Sequence, residues 1–311
     1  MKIVVHIDDA AQWQAAIEKA LPQATVLTSD APAEARANAD YLAVWKAPAH
    51  LLQEQAQLKG IINLGAGVDH LLKTPGLPSG VPIVKLRDAG MGELMADYTL
   101  YGALHFYRSM DRYAQQQPNA EWQPHQVPEK SHWPIGILGL GAIGSLVATH
   151  LSQAGFPVLG WSRSAKQISG VECFHGDAGL DGLLSQVQCV VTILPDTAET
   201  HGILNAKRLA KLPQGACVIN PGRGSLIDEQ ALLDALGKDR KPGHLRGALL
   251  DVFCEEPLPA NNPLWQHPRV IVTPHMAGPT PLNDAIDQVI SYLRAFEAGE
   301  ELATVNPDAG Y

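Results

Sequence analysis

The run Ile137-Leu138-Gly139-Leu140-Gly141-Ala142-Ile143-Gly144 constrains what this chain can fold into more than any other stretch. With Ile135 and Gly136 before it, the run opens on a segment long enough for a buried parallel strand. Gly139, Gly141 and Gly144 have G-x-G-x-x-G spacing, and Ile143, Leu146, Val147 and Leu151 then recur on one face of a helix. Strand, glycine turn and helix in this order are the context that a dinucleotide fingerprint requires. Gly139 permits the tight turn, Gly141 lets a pyrophosphate approach the backbone, and Gly144 lets helix and strand pack closely. The anion then sits on the helix N-terminus, so contacts are expected at Gly139, Gly141, Ala142 and Ile143.

Apolar runs at residues 3–7, 24–28, 41–45, 61–64 and 83–86 alternate with helical or loop segments upstream of this turn. The alternation predicts a parallel sheet with crossovers. A second series at 135–138, 157–161, 189–193, 216–220, 247–252 and 270–273 predicts a six-stranded sheet, the size of a full dinucleotide-binding unit. Within it, Asp228 is expected to cap a helix that turns Leu232 and Leu236 inward. Between the two series, residues 93–113 read as one long helix with Leu94, Tyr98, Tyr101 and Leu104 on a common face. Residues 115–133 carry Pro118, Pro124 and Pro128 and read as an arm too broken for a helix. A last helix over 282–298 has an apolar stripe of Leu282, Ala285, Ile286, Val289, Ile290, Leu293 and Phe296. The second sheet has no vacancy for it, so the chain is expected to return and pack it on the first. The class is therefore α/β, with two doubly wound parallel-sheet domains. One is split between residues 1–98 and 280–311, and the other, residues 99–279, is inserted into it. Two crossings make a hinge, and a cleft between domains is the default place for a small ligand.

Charge and composition narrow the partners. The formal net charge is −9 with no basic cluster, so no nucleic-acid partner is expected. No apolar run approaches the roughly 20 residues that span a bilayer, so no membrane partner is expected. The N-terminus reads as a strand followed by charges, not as a signal peptide. Four cysteines without a C-x-x-C fit reduced thiols in the cytoplasm, and twelve histidines without ligand spacing give no metal site.

Short motifs fall at expected strand ends, where open α/β sheets hold ligands. Asn63-Leu64-Gly65-Ala66-Gly67 offers free backbone N–H groups suited to a carboxylate. At the end of the strand after the glycine turn, an NAD site wants Asp or Glu for the ribose hydroxyls. This chain has Arg163 between Ser162 and Ser164, with Lys166 close by, which suits a 2′-phosphate. NADP(H) is therefore expected, through Arg163 and Ser164, with NAD(H) the alternative. Asn220-Pro221-Gly222-Arg223-Gly224 places an arginine between glycines, able to hold a carboxylate or ketone oxygen through two parallel hydrogen bonds. His275 ends the final strand, with Asp251, Glu255 and Glu256 at or just after the end of the strand before. A carboxylate beside an imidazole favours imidazolium, a proton donor for ketone reduction.

Taken together, these stretches resemble the D-2-hydroxyacid dehydrogenases, and among them the bacterial glyoxylate/hydroxypyruvate reductase A group. The resemblance is carried by N-L-G-A-G-V-D-H, D-A-G-M-G-E, I-G-I-L-G-L-G-A-I-G, W-S-R-S, I-L-P-D-T-A-E-T, P-G-R-G, L-D-V-F-C-E-E-P-L-P, P-L-W-Q-H-P-R-V and T-P-H, spread over nearly the whole chain. It implies a Rossmann-type cofactor domain inserted into a flavodoxin-like substrate domain. It further implies NADPH-dependent reduction of glyoxylate to glycolate or hydroxypyruvate to D-glycerate. Arg223 would bind and polarise the 2-oxo acid, His275 would donate the proton, and Glu256 would orient and charge His275. The Ala66 and Gly67 N–H groups would hold the substrate carboxylate. Trp45 would wall the substrate pocket, a core tryptophan being the other reading. Asp251 would bond the nicotinamide carboxamide, Leu194 and Pro195 would flank the adenosine, and Asn220 and His275 would also touch the cofactor. The resemblance implies a homodimer through the helix and arm around 99–133, with Trp122 reaching the partner's active site. Met276-Ala277-Gly278-Pro279 and Pro221 depart from the commoner family pattern. Alternatives are action on a different or bulkier 2-oxo acid and, from another class, a nucleotide-sensing corepressor-like binding protein.

Overall fold

In a computed structural model, which describes residues 1–238, 241–307 and 310, the chain forms two compact units. One comprises residues 1–90 with 280–311, the other residues 91–279.

The first unit is built on five parallel strands: β1 (Lys2–His6), β2 (Thr25–Thr28), β3 (Tyr41–Val44), β4 (Gly60–Asn63) and β5 (Ile83–Lys85). Their order is β2-β1-β3-β4-β5. All four residues of β3 and of β4 are buried, as expected for central strands covered on both faces. The helix Leu282–Ala298 belongs to this unit and buries Ala285, Val289, Ile290, Leu293 and Ala295. Phe296 on it stacks on Tyr41 of β3 at 5.5 Å, and the Tyr41 hydroxyl donates to Glu297 at 2.7 Å. Gly60 of β4 leaves the space that this ring fills, since a Cβ there would lie 2.7 Å from Phe296 Cζ.

The second unit carries a sheet of seven parallel strands, not six. These are β6 (Ile135–Leu138), β7 (Val158–Ser162), β8 (Val171–His175), β9 (Cys189–Thr192), β10 (Cys217–Asn220), β13 (Gly247–Leu250) and β14 (Val270–Val272). A short antiparallel pair, β11 (Gly237–Lys238) and β12 (Lys241–Pro242), stands apart from it. The order is β14-β13-β10-β9-β6-β7-β8, so the chain reverses direction across the sheet between β6 and β9. The strand missed by sequence is β8, an edge strand with no fully buried residue. Without a buried run it lacks the apolar signal that marked its neighbours.

Residues 93–113 are not one helix. Met91–Tyr107 ends, Ser109 takes a left-handed φ of +59°, and Met110–Gln116 starts afresh. The break is anchored from elsewhere in this unit: Arg246 donates to Ser109 Oγ at 3.1 Å and to both Asp111 oxygens at 2.8 and 2.6 Å. The helix Met91–Tyr107 turns Gly102 to the sheet, where a Cβ would lie 2.6 Å from Leu249 and 2.8 Å from Ile219. Of the face picked out by sequence, Leu94, Tyr101 and Leu104 point outward, while only Tyr98 turns in. Asp228 caps its helix as expected, accepting from the Ala231 N–H at 3.0 Å. No helix among the described residues is long and apolar enough to cross a membrane.

Candidate active site

The register of β6, β9, β10, β13 and β14 brings their C-terminal ends to one edge, with Leu138 opposite Thr192, Asn220 opposite Leu250, and Leu250 opposite Val272. The glycine turn opens this edge. Gly139 has a φ of +107°, and a Cβ on it would lie 2.1 Å from the Ile193 carbonyl oxygen. A Cβ on Gly144 would lie 1.9 Å from the Gly139 carbonyl oxygen, so the helix Ala142–Gln153 packs this close only through glycine. Gly141 differs: among the described residues nothing lies within 4 Å of where its Cβ would be, and no side-chain bond caps the helix there. Uncapped N–H groups beneath open space fit the pyrophosphate of a dinucleotide. Ala142 is exposed and Ile143 half-buried beside them, and Leu194 lies against Gly139 with exposed Pro195 next in sequence.

Arg163 and Ser164 stand exposed just past β7. Buried Ser162 donates to the Ser164 carbonyl at 2.8 Å and so shapes the turn that presents them. Arg163 does not stand alone. Glu199 is held below the usual carboxylate range by a backbone N–H, then by Thr197, and then by the charge of Arg163. Lys166 donates to the Leu140 carbonyl at 2.6 Å, tying this turn to the glycine loop.

Arg223 follows β10 on a loop braced by Asn220. The Asn220 Oδ1 accepts from Thr192 at 2.6 Å and from the Gly222 N–H at 3.2 Å, and its Nδ2 donates to the Arg223 carbonyl at 2.9 Å. Asn220, expected to touch the cofactor, is 1% exposed, and its amide is committed to the loop. Gly224 brings this loop against the next: a Cβ there would fall 1.9 Å from the Phe253 carbonyl carbon. That next loop carries Glu256. Its Oε2 meets His275 Nδ1 at 2.7 Å, and its Oε1 accepts from the Phe253 N–H at 3.2 Å. The two side chains are 25% and 30% exposed, so the pair is open to solvent. Bonding Nδ1 to a carboxylate fixes the ring and leaves Nε2 as the outward nitrogen.

His275 stands in a left-handed conformation, φ +54°, which costs a residue with a Cβ roughly 1–3 kcal/mol. Asp251 holds it there. The Asp251 carbonyl accepts from the His275 N–H at 2.8 Å, while its carboxylate accepts from the Met276 N–H at 2.9 Å, the Ala277 N–H at 2.8 Å and Thr273 Oγ1 at 2.6 Å. Thr273 spends its proton on Asp251, so the Tyr98 hydroxyl, 2.7 Å away, donates to Thr273. Burial raises the Tyr98 hydroxyl well above its ordinary pKa, which keeps that proton in place. Asp251, expected at the nicotinamide carboxamide, is 1% exposed, and its carboxylate accepts from three donors of this chain. The bond between Thr273 and Tyr98 is not legible in the sequence, because the two lie 175 positions apart.

In the first unit, Ala66 and Gly67 are partly exposed after β4, and the half-buried Trp45 ring covers Gly65, whose Cβ would lie 2.2 Å from Trp45 Cζ3. Among the described residues no group of three or more His, Cys, Asp or Glu is arranged to hold a metal.

Residues 100–277 match the model for the NAD-binding domain of D-isomer specific 2-hydroxyacid dehydrogenases. A Serratia proteamaculans protein named glyoxylate/hydroxypyruvate reductase A is 43% identical over 302 residues, covering 96% of this chain and 95% of that one. The chain belongs to the D-isomer specific 2-hydroxyacid dehydrogenase family. Membership makes it an NAD(P)-dependent oxidoreductase. A family enzyme from Xanthobacter autotrophicus Py2, solved with NADPH and MES, superposes with a TM-score of 0.91 at 38% identity over 99% of both chains. The NADPH-dependent glyoxylate/hydroxypyruvate reductase of Sinorhizobium meliloti, solved with NADP and sulfate, gives 0.91 at 35% identity over 100% of this chain and 99% of that one.

The family's glycine turn separates two effects that substitution can read apart. Gly144→Ala forces helix and strand apart, so it is expected to lower the melting temperature of the unliganded protein and to weaken dinucleotide binding. Gly141→Ala meets no protein atom, so it should leave the melting temperature unchanged while raising the Kd for NADPH about tenfold or more, read by nucleotide fluorescence.

Proposed function

We propose that this dehydrogenase reduces glyoxylate to glycolate and hydroxypyruvate to D-glycerate, using NADPH. The carrying observation is the 2.7 Å contact between Glu256 and His275 at the sheet edge that the glycine turn opens. Support for the substrate class comes from the relatives named as glyoxylate/hydroxypyruvate reductases in Serratia and Sinorhizobium.

A bound NADPH supplies hydride, from C4 of its nicotinamide to C2 of the 2-oxo acid. Arg223 holds and polarises the keto oxygen, its guanidinium able to offer parallel donors. His275, protonated, gives the Nε2 proton to that oxygen as the hydroxyl forms. Glu256, accepting from Nδ1, stabilises the charged ring before transfer and keeps Nε2 directed outward. The Ala66 and Gly67 N–H groups take the carboxylate, and Trp45 limits the size of what accompanies it. Gly139, Gly141, Ala142 and Ile143 hold the pyrophosphate, while Leu194 and Pro195 flank the adenosine. We assign Asn220 and Asp251 to holding the Arg223 and His275 loops beside the nicotinamide. Arg163 and Ser164 bind the 2′-phosphate.

We further infer a homodimer. Leu94, Tyr101, Leu104, Met110, Trp122 and Val127 are six of the eight large apolar side chains exposed among the described residues, and all lie between positions 94 and 127. Such clustering supports a covered surface. In the dimer Trp122, 99% exposed in the single chain, reaches the partner's active site. We place the enzyme in the cytoplasm, in keeping with its four free cysteines.

His275→Ala is expected to lower kcat on glyoxylate about 10²–10⁴-fold at saturating NADPH. Near wild-type kcat in that variant overturns the proton-donor role. For the cofactor, wild type should show the higher kcat/KM with NADPH, and Arg163→Ala should cut that value about tenfold or more while sparing NADH. A wild-type preference for NADH sinks the phosphate assignment. Sedimentation at micromolar concentration should give twice the chain mass, whereas a monomer there removes the dimer and with it the place of Trp122.

A further inference from the structure

Asn63 is the last residue of β4 and precedes the loop that carries Ala66 and Gly67. It is 2% exposed, and its side chain points back under the loop that follows. Its Nδ2 donates to the Gly65 carbonyl at 2.8 Å and to the Gly67 carbonyl at 2.9 Å, so both amide hydrogens are used. The Leu64 carbonyl, just before them in the chain, accepts from Thr280 Oγ1 at 3.0 Å. On the other side, the Trp45 ring presses on Gly65 closely enough to exclude a Cβ.

These contacts set the direction of the N–H groups. A trans peptide is planar, with its C=O and N–H pointing opposite ways. Drawing the Gly65 carbonyl toward Asn63 therefore turns the Ala66 N–H away from it. The Gly67 N–H belongs to the intervening Ala66–Gly67 peptide, which is flanked on both sides by a peptide whose carbonyl Asn63 holds. Among the described residues, no hydrogen bond engages the Ala66 or Gly67 N–H. Pinned carbonyls behind and two unengaged N–H groups in front make a cradle preset for an anion. Asparagine suits the brace because one short side chain supplies two hydrogens from a single nitrogen.

We propose that Asn63 is a positioning residue for the substrate carboxylate, acting through the Gly65 and Gly67 carbonyls. It rests on the reading that the Ala66 and Gly67 N–H groups hold that carboxylate. The brace orders the cradle before substrate arrives, so its loss falls on KM, with kcat at saturation largely kept.

The test is the steady-state kinetics of glyoxylate reduction by wild type, Asn63→Ala and Asn63→Asp from pH 5.5 to 8, with the Kd for NADPH measured alongside. In both variants KM is expected to rise about tenfold or more at pH 8, with kcat within about threefold and NADPH binding unchanged. The aspartate adds a readout that a general loss of packing would not give. Deprotonated, it faces two carbonyls with no hydrogen to offer and repels the substrate anion. Protonated, it donates to one of them. The ratio of its KM to the wild-type value should therefore fall as pH is lowered, while the Asn63→Ala ratio stays flat. If Asn63→Ala fails to fold, the pH-dependent ratio for the isosteric aspartate decides the matter alone. An unmoved KM in an active, folded variant, or a loss confined to kcat, overturns the positioning role and leaves the proposed function standing. A wild-type enzyme that reduces no 2-oxo acid overturns both.

Discussion

A buried carboxylate governs the reactive end of this molecule. Asp251 collects the Thr273 hydroxyl and the Met276 and Ala277 N–H groups on its side chain, and the His275 N–H on its carbonyl. A charge this far from water is tolerable only where hydrogen bonds replace its hydration. The same bonds hold His275 in a left-handed conformation that the residue would not choose. Stability and reactivity thus meet in one interaction: donors that the carboxylate requires are the backbone groups that aim the imidazole. Glu256 then acts on a ring whose backbone is already fixed, and its own second oxygen is held by the Phe253 N–H.

Close backbone approach does the rest of the positioning. Gly224 lets the Arg223 loop touch the Phe253–Cys254 backbone, and Gly139 and Gly144 let strand, turn and helix interlock. Each is a place where a Cβ would collide with main-chain atoms, which cannot rotate out of the way as a side chain can. Gly141 is the exception, facing open space where a Cβ would meet no protein atom. One motif therefore contains glycines of two kinds, and only the coordinates tell them apart.

The legibility of the chain followed the strength of the local signal. Strands buried on both faces, such as β3, β4, β6 and β10, are continuous apolar runs and were readable at once. Edge strand β8 exposes part of every residue and was not. The helix break at Ser109 was invisible because its cause, Arg246, is 137 positions away. Arg223, Glu256 and His275 could be picked out because each sits in a short motif at a strand end. Their braces, Asn63, Asn220, Thr273 and Tyr98, could not be assigned, since a hydrogen bond to a distant loop leaves no pattern along the chain.

Sequence alone determined the α/β class, the parallel strands, the glycine turn, the capped and amphipathic helices and the family. These depend on local spacing, which burial of alternating or periodic apolar residues imposes directly on the chain. Tertiary structure decided which polar groups are spent on the protein itself and which remain for a ligand. Asp251 and Asn220 read as cofactor contacts from their positions, and only the fold shows that both also brace loops. That division depends on distances between segments far apart in sequence, and no spacing rule encodes those distances.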